Sequence, residues 1–132
     1  MKKWFLIAVC LPVAFSGCGQ NTVRETNKTE YRKISAEEAK KMLDENTDAI
    51  LLDVRTETEF RESHISGATL LPHNEIEKKA ADMLPNKDAL ILVYCRSGVR
   101  SRAAANALTS MGYTNVYDIG GIINWPYGTK KA

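Results

Sequence analysis

One heptapeptide in this chain combines residue types suited to covalent chemistry: Cys95-Arg96-Ser97-Gly98-Val99-Arg100-Ser101. It follows an unbroken apolar run, Ala89–Tyr94, and leads directly into a helical pattern. A cysteine placed there faces a helix N-terminus, whose unpaired backbone N–H groups and macrodipole favour an anion. Gly98 permits the positive φ that a tight concave loop needs. Arg96 and Arg100 add two fixed positive charges with rigid donor forks. All of these favour the thiolate, the nucleophilic form of cysteine. A helix terminus supplies roughly 0.3–1 kcal/mol, up to ~2 when partly buried, against about 1.4 kcal/mol per pKa unit. The dipole alone is therefore worth about one unit at best, and the arginines add to it. A lone cysteine at a strand end is commonly just a small core residue. The two arginines, the glycine and the helix start favour the nucleophile.

The surrounding elements must hold this loop in place. Ser35 and Glu38 form a capping-box pair, after which Ala36, Ala39, Met42 and Leu43 share one helical face. Ala49–Leu52 is a short continuous apolar run, the mark of a strand buried on both faces. Thr56–Glu62 reads as a short charged helix, and Ala68–Leu71 as a strand ended by Pro72. Ile76, Ala80, Met83 and Leu84 recur at helical spacing up to Pro85. Ala89–Tyr94 is the strongest strand signal and belongs at the centre of a sheet. Ala104, Ala107, Leu108 and Met111 form another helical face, capped by Gly112, before a last strand at Val116–Tyr117. Alternating strands and helices with buried strands predict an α/β fold: a mostly parallel central sheet with helices on both faces. In such folds ligands bind beyond the carboxyl ends of the strands, where Cys95 lies.

The 132 residues allow one domain. With 44% hydrophobic and 26% charged residues, the composition excludes a mainly disordered, collagen-like or multi-span membrane chain. Without residues 1–17, 16 basic residues face 16 acidic ones, so nothing marks a nucleic-acid partner. Any anion is bound by local geometry.

The amino terminus reads as an address. Lys2-Lys3 precede a 12-residue apolar run, Trp4–Phe15, followed by Ser16-Gly17 and Cys18. This is the charged, apolar, small-residue plan of a secretory signal, and the run is short for a spanning helix. An uncleaved anchor is the plainer alternative. Phe15-Ser16-Gly17-Cys18 resembles a bacterial lipobox, although Phe15 stands where Leu is usual. That resemblance implies lipidation at Cys18 and an exported, extracytoplasmic, membrane-anchored protein. Residues 18–30 then form the lipidated cysteine and a flexible tether, with Val23 its one apolar side chain after Cys18, and the domain spans 31–132. Cys10 leaves with the signal, so Cys95 remains as a lone thiol. A Cys18–Cys95 disulfide is the alternative if Cys18 is unlipidated.

The Cys95 loop resembles the active-site loop of the rhodanese family. Three further segments agree with that family in order: Asp53-Val54-Arg55 with Glu59-Phe60, His64-Ile65-Ser66-Gly67-Ala68, and Gly120-Gly121 with Trp125. Together they cover residues 34–126. The resemblance implies a single-domain sulfurtransferase without a cofactor or metal. Cys95 would take the outer sulfur of thiosulfate or a similar donor as a persulfide, then pass it to cyanide or a thiol. Backbone N–H groups of residues 96–100 would cradle that anion, and Arg96 and Arg100 would bind the donor's sulfonate end. A carrier that loads sulfur with little turnover on small molecules uses the same residues. A Cys-based phosphatase is the minor alternative; related phosphatases use Cys-x5-Arg, and this chain has the shorter Cys-x4-Arg. Export leaves little small-molecule thiol as acceptor and exposes a lone thiolate to over-oxidation, which points to an anaerobic or reducing setting or to a redox partner protein with a thiol.

Asp53 and Arg55 read as structural support near the site, with Asp53 capping a turn and Arg55 pairing with Glu59. His64 belongs to a packing turn, and His73 has no motif around it. Trp125 and Tyr127 are expected to wall the mouth of the pocket or to pack in the core. Lys40-Lys41 and Lys78-Lys79 read as solvated surface.

Overall fold

The computed structural model describes residues 30–132. The signal segment, Cys10, Cys18 and nearly all of the tether lie outside the described residues.

Capping chemistry sets where the helices begin. Helix α1 spans Ala36–Glu45, and its N-cap Ser35 exchanges hydrogen bonds with Glu38 in the expected capping box. Helix α2, Glu57–Glu62, opens on a second capping box, Thr56 with Glu59, which the sequence reading did not single out. Helix α3 is Ile76–Met83 and helix α4 is Val99–Ser110. Short 3₁₀ turns occupy His73–Glu75 and Ile122–Asn124.

The strands are β1 Arg32–Lys33, β2 Ile50–Asp53, β3 Thr69–Leu70, β4 Ile91–Cys95 and β5 Val116–Gly121. They form one sheet in the order β1-β5-β4-β2-β3, and every pairing is parallel. Strand β4 lies in the middle and is buried throughout. It starts two residues into the apolar run, at Ile91, and ends on Cys95. Strand β5 runs four residues beyond Val116–Tyr117, because the sheet continues to the glycines that pack against the Cys95 loop. Strand β1 is polar and exposed, and carries no strand signal of its own.

Each face of the sheet has its own core. Leu52, Val54, Ile91 and Val93 pack with Ile76, Ala80, Ala104 and Leu108 of α3 and α4. Leu51, Leu92, Tyr94 and Ile119 pack with Ala39 of α1 and with Ile65. The alternation of β4 side chains between the two clusters follows from the two-residue period of a strand. A central strand clamped on both faces cannot shift register without exchanging one core for the other. The carboxyl end of β4 is thus a rigid mount for whatever follows it.

Candidate active site

Cys95 is the last residue of β4 and is buried. The chain turns at Gly98, whose φ of 105° is in the left-handed region, and enters α4 at Val99. The turn brings the Gly98 N–H to 3.0 Å from the Cys95 sulfur. Burial pushes the Cys95 thiol up, but hydrogen bonds from the backbone and hydroxyl of Ser101 and from the Gly98 and Ser97 N–H groups outweigh it. The thiol ends below its ordinary value, so the loop favours the thiolate. The donors are mainly backbone, as a helix N-terminus supplies them.

The loop is wedged from below by β5. A Cβ on Gly121 would lie 2.2 Å from the Arg96 carbonyl oxygen and 2.7 Å from the Ser97 Cα. Only glycine allows this approach. Beside it the β4–β5 ladder shifts register, with Val93 opposite Asp118 and Tyr94 opposite Gly120. The buried Asp118 carboxylate accepts hydrogen bonds from the Gly120 N–H at 2.9 Å and the Ser101 hydroxyl at 2.8 Å. Asp118 was not among the expected site residues. No motif flags it, because its role comes from the bulge.

Asp53 and Arg55 form the buried support expected of them, but with a different partner. The Asp53 carboxylate accepts from the Arg55 backbone N–H at 3.0 Å and from Arg55 Nη2 at 2.6 Å. It also accepts from the Tyr94 hydroxyl at 2.7 Å. Burial works against the Arg55 charge, and the Asp53 hydrogen bonds outweigh it, so the guanidinium titrates above its ordinary range. Burial, with the nearby Asp53 charge, also pushes the Tyr94 phenol up, which keeps it protonated as a donor. The expected Arg55–Glu59 pair does not form. Glu59 turns instead to Arg100, accepting from Nη1 at 2.8 Å and Nη2 at 2.9 Å. The reason is geometric: Arg55 points inward to a buried carboxylate, while Glu59 in the first turn of α2 faces Arg100 of the Cys95 loop. Hydrogen bonding from Arg100 first of all, then from Thr56, holds the Glu59 carboxyl at about 2.

Arg100 is therefore not a free donor fork. Arg96 is exposed and has no ion-pair partner among the described residues. Val99 is exposed on the same loop and Ser101 is buried beneath it. His64 packs as expected, stacked on Phe60 with its Nδ1 2.9 Å from the Phe60 carbonyl. Trp125 lines the groove beside Arg96, whereas Tyr127 packs edge-on against Trp125 and lines a neighbouring cleft near Lys40.

The family model for the rhodanese-like domain matches residues 35–126. The chain belongs to the rhodanese family. This rhodanese-like domain is 35% identical over 71 residues to thiosulfate sulfurtransferase PspE of Escherichia coli K12, covering 54% of the chain and 68% of that relative. It is 32% identical over 105 residues to putative sulfur carrier protein YrkF of Bacillus subtilis, covering 79% of the chain and 56% of that relative. A solved structure of an E. coli rhodanese with anions superposes with a TM-score of 0.60 at 31% identity, covering 64% of the chain and 99% of that structure. The rhodanese-like α/β fold and its five-stranded parallel sheet are shared with such structures.

Proposed function

We propose that this rhodanese-like protein is a sulfurtransferase that moves sulfane sulfur from thiosulfate or a similar donor to a thiophilic acceptor through a Cys95 persulfide. The observation that carries this reading is the Gly98 N–H 3.0 Å from the Cys95 sulfur, at the head of α4 and at the end of the central strand. The thiolate attacks the outer sulfur of the donor, the donor's S–S bond breaks, and sulfite leaves when the donor is thiosulfate. The persulfide anion rests among the N–H groups of the loop, which are already fixed before the charge arrives. Cyanide or a thiolate then attacks the outer sulfur and Cys95 leaves as a thiolate. The cycle is covalent and ping-pong.

The test is intact mass and turnover on the purified protein. Thiosulfate should add one sulfur atom, cyanide should remove it as thiocyanate, and Cys95→Ser should do neither. A folded, reduced protein that never gains sulfur would overturn the reading.

The bidentate Glu59–Arg100 pair supports a second reading. It takes one of the two loop cations away from a small anionic donor. A carrier that loads from a protein and turns over poorly on thiosulfate would show sulfur gain without steady thiocyanate production.

We also propose that the protein is exported and anchored through a lipid on Cys18, with a thiol protein of the envelope as acceptor. The sequence of residues 1–20 supports this reading. Metabolic labelling with a fatty acid should mark the native chain and not Cys18→Ala; equal labelling of both would remove the proposal.

A further inference from the structure

The groove beside the catalytic loop has a charge balance and a wall that bear on which donor it takes. It encloses about 550 Å³ and is lined by the charged Arg96, Arg55, Glu59 and Glu62, by the apolar Ile122, Ile123 and Trp125, and by the smaller Ser63, Gly128 and Thr129. Both loop arginines turn to this flank: Arg96 lines it, and Arg100 is bound to the Glu59 that lines it. Arg55 is neutralised by Asp53 and Arg100 by Glu59. Glu62 and Arg96 line the same groove without pairing and balance only in the charge count. Three arginines therefore meet three carboxylates, and the groove has no net positive charge even before the Cys95 thiolate is counted. A site built to draw in a dianion would hold a cationic excess. The apolar part of the lining includes Ile123, which is 65% exposed. An apolar side chain that exposed beside a catalytic loop offers contact area to an organic group.

We propose that the groove selects organic sulfane-sulfur donors of low charge over the thiosulfate dianion, and that Glu59 sets this preference by neutralising Arg100. The proposal rests on the sulfur transfer proposed above. The chemistry balances with a thiosulfonate, R–SO2–S⁻. The Cys95 thiolate bonds to the outer sulfur, the S–S bond breaks, and the sulfinate R–SO2⁻ leaves with the electron pair. One negative charge enters and one leaves, and no oxidant or reductant is needed. The R group rests on Ile123 and Trp125, and the single charge faces Arg96. Glu59 acts here through Arg100 as a positioning and specificity residue.

The test compares thiosulfate, a dianion, with benzenethiosulfonate, a monoanion bearing an arene, at fixed cyanide. Native protein, Glu59→Gln and Ile123→Ser are measured with both. Gln keeps the capping box at that position, so α2 retains its start while the Arg100 charge is no longer offset. Glu59→Gln should raise kcat/KM for thiosulfate relative to benzenethiosulfonate by about fivefold, a charge effect at groove distances. Ile123→Ser should shift the same ratio towards thiosulfate by about fivefold, through lost apolar contact with the arene. A ratio that either variant leaves at its native value overturns the proposal, as does a Glu59→Gln protein that loses both donors equally. If neither donor adds sulfur to native Cys95, the sulfur-transfer reading itself falls, which the intact mass reports separately.

Discussion

Glu59 grips Arg100 at both ends of its guanidinium, 2.8 and 2.9 Å, across 41 residues of sequence. The same carboxylate accepts from the Thr56 N–H and hydroxyl at 2.9 and 3.0 Å, closing the capping box of α2. One side chain thus fixes both the start of a helix and the angle at which an arginine of the Cys95 loop leaves α4. The loop is held from this side by the ion pair and from beneath by β5.

That double duty gives stability a pH dependence. The Glu59 carboxyl is held at about 2, below its ordinary 4.5. A lowered folded value means the stabilisation is fully present above the unfolded value and disappears as pH falls from about 4.5 to about 2. The two side chains are 26% and 27% exposed, so solvent screens the pair. About 1–2 kcal/mol is expected rather than the ~3 that the full shift would imply. Urea unfolding at pH 7 should place Glu59→Gln below the native protein by that amount, and the two should converge near pH 2. Parallel curves across that range would mean the pair contributes nothing.

Ser101 is expected to tune the nucleophile. Its backbone N–H favours the Cys95 thiolate, and its hydroxyl has one proton to give, which goes either to the buried Asp118 carboxylate 2.8 Å away or to the sulfur. Ser101→Ala removes that proton, so one of the two neighbouring negative groups loses a hydrogen bond. Either loss disfavours a second negative charge. The pH midpoint of Cys95 alkylation by iodoacetamide should therefore move up from its native position, with the limiting rate at high pH retained. A midpoint that stays or falls would show that the backbone N–H groups alone set the thiolate.

The loop was legible in the sequence because each of its devices is a residue type at a fixed place: a cysteine at the end of an apolar run, a glycine at the turn, a helix pattern after it. Period and capping signals likewise exposed α1, β2 and β4. Partner choice was less legible. Glu59 has the spacing to meet Arg55 across one helical turn, and only the fold shows Arg55 drawn inward by Asp53 and Tyr94. Asp118 was invisible because it matters through a register shift between β4 and β5. Strand β1 was missed because an exposed two-residue edge strand needs no apolar pattern.

The Asp53–Arg55–Tyr94 cluster should be costly to break at its acid. Asp53 and Tyr94 are fully buried and Arg55 nearly so. Asp53→Ala leaves the Arg55 charge without its counter-ion and the Tyr94 hydroxyl without its acceptor. Removing one partner of a buried ion pair costs about 3–5 kcal/mol. Tyr94→Phe removes one hydrogen bond from Asp53 and the acceptor of the buried Ile65 N–H, and should cost about 1–3 kcal/mol. Chemical denaturation of both variants checks the order, and a milder loss for Asp53→Ala than for Tyr94→Phe would contradict this account.

The two glycines around the loop make opposite demands, and the difference can be measured. Gly98 needs a conformation: its φ is 105°, yet the nearest atom to an added Cβ is 3.6 Å away. Gly98→Ala should therefore strain the backbone by roughly 1–3 kcal/mol and leave the protein folded. Gly121 has a φ of −110°, which any residue adopts, so conformation does not require glycine there. Space does: an added Cβ would lie 2.2 Å from the Arg96 carbonyl oxygen, and neither that backbone nor β5 can swing away as a side chain could. Gly121→Ala must push the Cys95 loop off the sheet. It should lower sulfur loading of Cys95 more than Gly98→Ala does at equal folded fraction, and show a larger drop in thermal stability. If Gly121→Ala loads sulfur like the native protein, the wedge beneath the loop is not what holds the sulfur cradle in shape.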